Sequence, residues 1–236
     1  PSRRCATRNC IIKKTESPSY NTPIKADGSI AIKIRDDDEL VAVRRTSGDD
    51  DILMVSRKGQ AVRFHEDATR SMGRDTSGVR GMDISGADDG VLAMDVARDD
   101  DDLLVVTENG YGKRTGIDQY RKTNRGTKGV GTIKLTDAKG ALAGALVVRE
   151  HDGLVFISKE GMVQRTVVRQ INRYGRLSQG VKVMNLKDDN IVSAVAVVYD
   201  TDDDAEGGTE PAPELLELAL EGEVPGQPGG PEGADA

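Results

Sequence analysis

The sequence repeats itself every 51 residues, and this repeat constrains the fold more than any other feature of the chain. Glycines and arginines recur at that interval in three series. The series are Gly59, Gly110 and Gly161; Arg63, Arg114 and Arg165; and Arg74, Arg125 and Arg176. A fixed period of this length is typical of proteins that stack copies of one supersecondary unit. We therefore expect an array of similar units with arginines at equivalent places in each.

Each unit has the pattern of four short strands. In the unit at residues 101–150, a short apolar run precedes the pair Asn109-Gly110. Asn-Gly between apolar runs is a strong hairpin signal, because both residues tolerate positive φ. A second strand follows through Arg114, and two later apolar runs complete the unit. Repeated four-stranded units predict an all-β fold, a β-propeller of four-stranded blades. The complete units span residues 51–99, 101–150 and 152–200.

A degraded unit precedes these three, in residues 1–48. Its turn carries Cys10 where the other units have glycine, and Lys25 stands in the slot of the later arginines. Apolar runs at 30–34 and 40–43 predict its later strands, whereas its opening strand is expected to be missing or replaced by basic residues. Because the chain begins at proline inside a unit, we interpret it as an N-terminally truncated fragment with about four repeats.

Charge is distributed unevenly along the chain. The net charge is -7, yet residues 1–199 hold all 33 Lys and Arg against 28 acidic residues, a balance of +5. Residues 200–236 hold 12 acidic residues and no base. The segment 201–236 is rich in Gly, Pro, Glu and Ala, so we expect a disordered acidic tail. Such asymmetry fits a nucleic-acid partner with a regulatory tail, or a tail that only solvates.

Other compositional signals exclude several classes. No apolar stretch approaches the length that spans a membrane, and no secretory signal is visible, so we expect a cytoplasmic protein. Cys5 and Cys10, with only two histidines elsewhere, do not make a zinc site, and we expect no metal or cofactor in this chain. The excess of Asp over Glu resembles proteins of salt-in halophiles, although ordinary turn acids explain it equally well.

The arginine slot carries the functional hypothesis. Each slot has the form Arg-x-x-x-Gly among small or polar residues, as in 124–129. Small residues let the backbone approach a phosphate, and the arginine fork suits phosphate oxygens. Without interleaved aromatics, a nucleic acid would be a duplex held by its backbone. The candidate DNA-binding residues are Lys25, Arg63, Arg74, Lys113, Arg114, Arg121, Lys122, Arg125, Lys128, Arg165, Arg169, Arg173, Arg176 and Lys182. The alternative is that the repeated arginines pair with acids at the unit junctions and are structural.

Three stretches, 72–82, 110–130 and 179–186, resemble the C-terminal domain of the A subunit of DNA gyrase, and the resemblance covers about residues 5–198. It implies a six-bladed β-pinwheel that wraps duplex DNA around a basic rim and supports negative supercoiling. The signature box of that family, of the type Gln-Arg-Arg-Gly-Gly-Lys-Gly, is absent. Residues 124–129 resemble a degenerate copy, with Thr127 in place of the second glycine of the box.

The resemblance also implies what this chain does not do alone. No cleavage tyrosine can be assigned, so the chain is not expected to be an enzyme by itself, but part of an ATP-dependent type IIA topoisomerase. That enzyme uses ATP and Mg²⁺ through other domains. The N-terminal core of the gyrase A protein and the gyrase B protein are the expected partners, at the chromosome. Two alternatives stay open: the corresponding domain of topoisomerase IV, and a protein-binding propeller whose arginines are structural.

Overall fold

The computed structural model describes residues 1–23, 26, 28–35, 37–84, 86, 88–187 and 189–198. Lys25 and the predicted acidic tail lie outside the described residues. The strands are β1 (Ser2–Thr7), β2 (Ile11–Glu16), β3 (Leu40–Thr46), β4 (Asp51–Ser56), β5 (Gln60–His65), β6 (Val79–Arg80), β7 (Val91–Ala97), β8 (Asp102–Thr107), β9 (Tyr111–Gly116), β10 (Val130–Gly131), β11 (Leu142–Val148), β12 (Gly153–Ser158), β13 (Val163–Val167), β14 (Val181–Lys182) and β15 (Val192–Val198). Short 3-10 turns occupy Ser17–Tyr20, Glu66–Ala68, Ile117–Gln119, Asp137–Lys139 and Val168–Gln170. The part of the chain that is described has no helix long and apolar enough to cross a membrane.

The strands form four antiparallel sheets that repeat one plan, which confirms the predicted all-β propeller. Their strand orders are β3-β1-β2-β6, β10-β5-β4-β7, β11-β8-β9-β14 and β13-β12-β15. In the three four-stranded sheets a hairpin forms the two middle strands, whereas in the three-stranded sheet one hairpin strand, β13, is an edge. In all four sheets a seven-residue strand forms one edge. These four edge strands (β3, β7, β11 and β15, the inner strands) line one common cavity. Small side chains such as Ala42, Ala93 and Ala194 face that cavity.

The opposite, outer edge of a sheet is built by the following unit. The two-residue strands β6, β10 and β14 pair with β2, β5 and β9, the second hairpin strands of the preceding sheets. Each unit thus gives its outer strand to the preceding sheet, and we call this the exchange of outer strands. It corrects the expectation that the four strands of one unit form one sheet. The repeated glycine before each outer strand makes the exchange possible. Gly129 has φ +76°, and a Cβ there would collide with the carbonyl oxygen of Ala61 in the preceding sheet.

Three local expectations were wrong. The opening strand of the first unit is present as β1, and no strand forms at 30–34. The sequence concealed β1 because it is basic rather than apolar: Arg4 is fully buried and its charge is paired with Glu66 of the next unit. The outer strands are also shorter than the apolar runs at 79–84 and 130–135, because only two residues of each pair with the preceding sheet.

The core lies between neighbouring sheets. On the central strand β4, Ile52 and Met54 pack toward the first sheet, whereas Leu53 and Val55 pack toward the third. A third cluster, around Phe156, joins the last two sheets. Because successive side chains of a strand point to opposite faces, a strand buried on both faces requires an uninterrupted apolar run. This explains the runs that open each complete unit.

Candidate nucleic-acid interface

Three loops carry the repeated slot arginines to the outer edge of the sheets. We call residues 71–78, 122–129 and 173–180 the arginine loops; each leads into an outer strand. The middle loop begins alongside β5, where Thr123 N donates to the carbonyl of Arg63 at 2.8 Å. The last loop repeats the contact, since Tyr174 N donates to the carbonyl of Arg114 at 2.8 Å. Each of these two loops is thus fastened along the second hairpin strand of the preceding sheet.

Neighbouring loop segments are joined by main-chain hydrogen bonds. Gly126 N donates to the carbonyl of Gly81 at 2.6 Å, and Asp83 N donates to that of Thr127 at 2.9 Å. One unit further on, Lys134 N donates to the carbonyl of Ser178 at 3.3 Å. The arginine loops therefore form a continuous series along the outer edge, away from the inner strands.

The three slot arginines are half-buried, and none has a carboxylate partner among the described residues. The Arg125 guanidinium donates from Nε to the carbonyl of Ala68 at 2.7 Å and from Nη1 to that of Arg80 at 3.0 Å. Nη1 of Arg74 is buried without a hydrogen-bond partner. The side chain of Arg176 makes no hydrogen bond within the described residues. These three positive charges are therefore not neutralised by side chains around them.

Two arginines of the other series, Arg63 and Arg114, are neutralised by carboxylates, which corrects part of the predicted site. Arg63 is 4% exposed and pairs with Asp51 at 2.6 Å and with Asp99 at 2.7 Å. Arg114 pairs with Asp102 at 3.2 Å. Each arginine binds the aspartate that begins the first hairpin strand of its own sheet, β4 or β8. The structural alternative therefore describes Arg63 and Arg114, and Arg63 is too buried to present its charge to a ligand.

Two loop cations share those aspartates. Lys122 Nζ lies 2.9 Å from Asp51, and Arg173 Nε lies 3.0 Å from Asp102. Burial alone would raise the pKa of Asp51, but hydrogen bonds from Lys122 and Arg63 outweigh it and lower the pKa. Lys122 and Arg173 are more than half exposed, yet each also forms an ion pair with one of these aspartates.

The prediction that Lys113 contacts DNA directly is also corrected. Its side chain is fully buried, and Nζ donates to the carbonyls of Gly175 at 2.6 Å and Arg176 at 2.5 Å. Burial, with the nearby Arg176 guanidinium, lowers the pKa of Lys113 to about 8. The Lys113 ammonium therefore binds the backbone of an arginine loop and is not exposed at the surface.

The remaining candidates are exposed. Arg121 directly precedes the middle arginine loop, and Lys128 follows Arg125 on that loop. Arg165 lies on β13, Arg169 lies in the 3-10 turn that follows it, and Lys182 lies on β14. Lys182 Nζ lies 5.0 Å from the centroid of the Tyr111 ring. Among the described residues, no carboxylate lies within ion-pair distance of Arg121, Lys128, Arg169 or Lys182.

Two exposed cations at the same edge were missed by the sequence prediction. Arg70 precedes the first arginine loop and stands 51 residues before Arg121. Arg80 lies on β6, at the position that Lys182 occupies on β14, and reaches Asp83 at 3.5 Å. Both could have been identified from the 51-residue repeat, because each stands at the position of a candidate cation in a later unit.

The fold and this edge together define a class: a β-propeller with outer strands exchanged between blades and a series of basic loops along the rim. The described residues contain no group of three His, Cys, Asp or Glu side chains that could hold a metal ion. A sequence model of the family described as DNA gyrase C-terminal domain, beta-propeller, matches residues 23–47, 50–98, 101–149 and 154–198. The chain belongs to this family.

Individual relatives agree with the family match. The chain is 42% identical over 207 residues to the A subunit of DNA gyrase from Mycolicibacterium smegmatis, covering 87% of this chain and 24% of the relative. It is 40% identical over 219 residues to that of Salmonella typhimurium, covering 89% of this chain and 25% of the relative. The chain thus spans about a quarter of the length of these relatives.

Solved structures share the fold. A DNA gyrase A C-terminal domain superposes with a TM-score of 0.75 at 27% identity, covering 84% of this chain and 66% of that chain. The C-terminal domain of a DNA topoisomerase IV superposes with a TM-score of 0.79 at 24% identity, covering 93% of this chain and 66% of that chain. At that identity the second likeness shows the fold alone.

Proposed function

We propose that this chain binds duplex DNA along its outer edge and wraps it there, as part of a DNA gyrase that introduces negative supercoils. One observation carries the proposal: the arginine loops form a continuous series at the outer edge, and their slot arginines lack carboxylate partners among the described residues. The gyrase names of the relatives at 40% identity or more support gyrase over topoisomerase IV.

The physical role of the edge would be positioning rather than chemistry. Contacts to phosphates fix a duplex on a protein without reading its sequence. Bending a site of 20–30 base pairs by 40–90° costs about 1–6 kcal/mol by smooth elastic estimates, so it requires many contacts along a curved surface. A series of loops, one per sheet, supplies such contacts. Strand cleavage, ATP and Mg²⁺ chemistry would belong to the core of the gyrase A protein and to the gyrase B protein, the proposed partners.

The test is a titration of the chain with two duplexes of unrelated sequence, at about 50 mM and 200 mM salt. We expect equal affinity for both duplexes and a steep loss at the higher salt, because each neutralised phosphate releases counterions. Circular dichroism in the same buffers verifies that the chain stays folded. Binding that is undetectable at 50 mM salt, or that prefers one sequence strongly, contradicts the proposal.

A further inference from the structure

Two lysines are buried at equivalent positions of the first and third sheets. Lys13 faces Cys5 in the strand register, and Lys113 faces Val105. Both side chains are fully buried, and neither has a carboxylate within 4.0 Å among the described residues. A buried ammonium without a counter-ion is costly. Neither lysine is needed for the strand itself, because the second sheet has Val62 at the same place.

Both lysines bind main-chain carbonyls of an arginine loop. Lys113 Nζ donates to the carbonyls of Gly175 at 2.6 Å and Arg176 at 2.5 Å. Lys13 Nζ donates to the carbonyl of Arg74, and to that of Ala31 at 2.8 Å. Arg74 and Arg176 occupy the same slot of two different units. Each buried ammonium therefore holds the backbone of the slot arginine itself.

Several donor groups of the anchored loop have no partner. With the carbonyls of Gly175 and Arg176 turned toward Lys113, the N–H groups of Arg176, Leu177 and Gln179 have no acceptor within the described part of the chain. The Arg176 side chain also makes no hydrogen bond within the described residues. Backbone N–H groups beside an arginine suit an anion with several acceptor oxygens, such as a phosphate group of DNA.

The middle loop lacks a lysine beneath it and is fastened differently. Val62 stands at the lysine position, and the Arg125 guanidinium itself donates to the carbonyls of Ala68 and Arg80. Two of its donor groups are therefore occupied by the protein. An arginine that fastens its own loop offers less to a ligand than one whose loop is held from below.

We propose that Lys13 and Lys113 are positioning residues for DNA-phosphate binding: each holds an arginine loop from inside, so that Arg74 and Arg176 stay available to phosphate, whereas Arg125 serves mainly to fasten its own loop. This inference rests on the proposed function.

Burial, assisted by the Arg176 guanidinium, lowers the pKa of Lys113 to about 8. The hydrogen bonds to the carbonyls of Gly175 and Arg176 oppose this cost of burial. The test therefore measures local amide exchange in the loop and DNA affinity.

The test uses Lys113→Met, which keeps the chain length of the side chain and removes the charge. We expect faster amide exchange in residues 175–180, and affinity for a 40-base-pair duplex reduced about three- to tenfold at 50 mM salt. Gln164→Met is the matched control, because Gln164 holds the same position in the last sheet and donates only to the carbonyl of Val183. It should leave the affinity unchanged.

Double variants locate the effect. Lys113→Met should add little to Arg176→Ala, because both act through one loop, but should add fully to Arg74→Ala. Lys113→Gln, which restores a donor without the charge, should recover part of the slow amide exchange in residues 175–180.

Two results overturn the inference: a folded Lys113→Met protein that binds DNA like the wild type, or one whose residues 175–180 exchange at the wild-type rate. If Lys113→Met does not fold, the same two measurements on Lys113→Gln decide. Failure of the wild type to bind DNA refutes the proposed function, while the amide exchange still tests the anchoring.

Discussion

At the scale of single residues, the buried carboxylate of Glu66 joins the first two units. Its Oε2 accepts from Arg4 at 2.5 Å and from Thr46 at 2.8 Å. Its Oε1 accepts from the main-chain N–H groups of Gly48 at 2.8 Å and Asp50 at 3.0 Å. Burial alone would raise the pKa of Glu66, but these hydrogen bonds outweigh it and lower the pKa to about 2.

This lowered pKa fixes the direction of a pH dependence. The folded pKa lies below the ordinary value of 4.5, so ionised Glu66 contributes stability that is present above pH 4.5 and lost as the pH falls toward 2. We expect Glu66→Gln to lower the free energy of unfolding at pH 7 by about 3 kcal/mol, because it leaves Arg4 buried without a counter-charge. Denaturant unfolding at pH 7 and pH 3 measures both effects.

The matched control for Glu66 is an exposed pair in the first unit. Glu39 lies 3.2 Å from Arg8, and both side chains are more than half exposed. Glu39→Gln should change the free energy of unfolding by less than about 1 kcal/mol at either pH. Equal losses in the two variants would show that the burial of Glu66 has no energetic consequence.

The sequence predicted which arginines recur, but not which would be neutralised. Arg63 and Arg125 belong to series with the same spacing, and both were candidate DNA contacts. Their difference depends on the strand face and on the junction aspartate Asp51, which binds Arg63 across the hairpin. Periodicity along the chain carries no information about such a contact, so the sequence could not separate the two series.

At the scale of elements, the outer strands determine where the arginine loops lie. A two-residue strand such as β10 has too few residues to show a period of its own, so the sequence predicted the blades but not the exchange between them. The glycine before it was visible as part of the repeat. Its reason became clear only with the close approach to Ala61.

Gly129→Ala should therefore disturb the middle arginine loop. The added Cβ would meet the Ala61 carbonyl and the Val62 side chain, in addition to the strain at φ +76°. We expect a loss of about 3 kcal/mol or more in the free energy of unfolding, and weaker DNA binding. Gly161→Ala is the control, since it has φ +83° but no atom within 4 Å, and should cost only about 1–2 kcal/mol. Comparable losses would mean that strain alone, and not the approach to Ala61, decides the outcome.

At the scale of the whole molecule, the sequence separates a basic body from an acidic C-terminal segment. Residues 1–199 carry a balance of +5, and residues 200–236 carry 12 acidic residues without a base. A tethered polyanion competes with DNA for cationic groups at high effective concentration. We expect deletion of residues 200–236 to raise DNA affinity at about 50 mM salt. The gain should vanish near 1 M, where the Debye length is about 3 Å. Unchanged affinity at 50 mM would assign the segment a solvating role only.

The most direct test of the central claim is the slope of log affinity for duplex DNA against log salt concentration, compared between the wild type and the double variant Arg121→Gln/Lys128→Gln. Both replaced cations are exposed at the middle arginine loop and lack carboxylate partners among the described residues. If the outer edge neutralises phosphates, the double variant should bind more weakly and its slope should be shallower by up to about 2, near 0.9 for each lost phosphate contact. Arg98→Gln, an exposed cation that follows the inner strand β7, should leave the slope unchanged. A wild-type slope near zero, or equal slopes for the wild type and the double variant, would contradict the account.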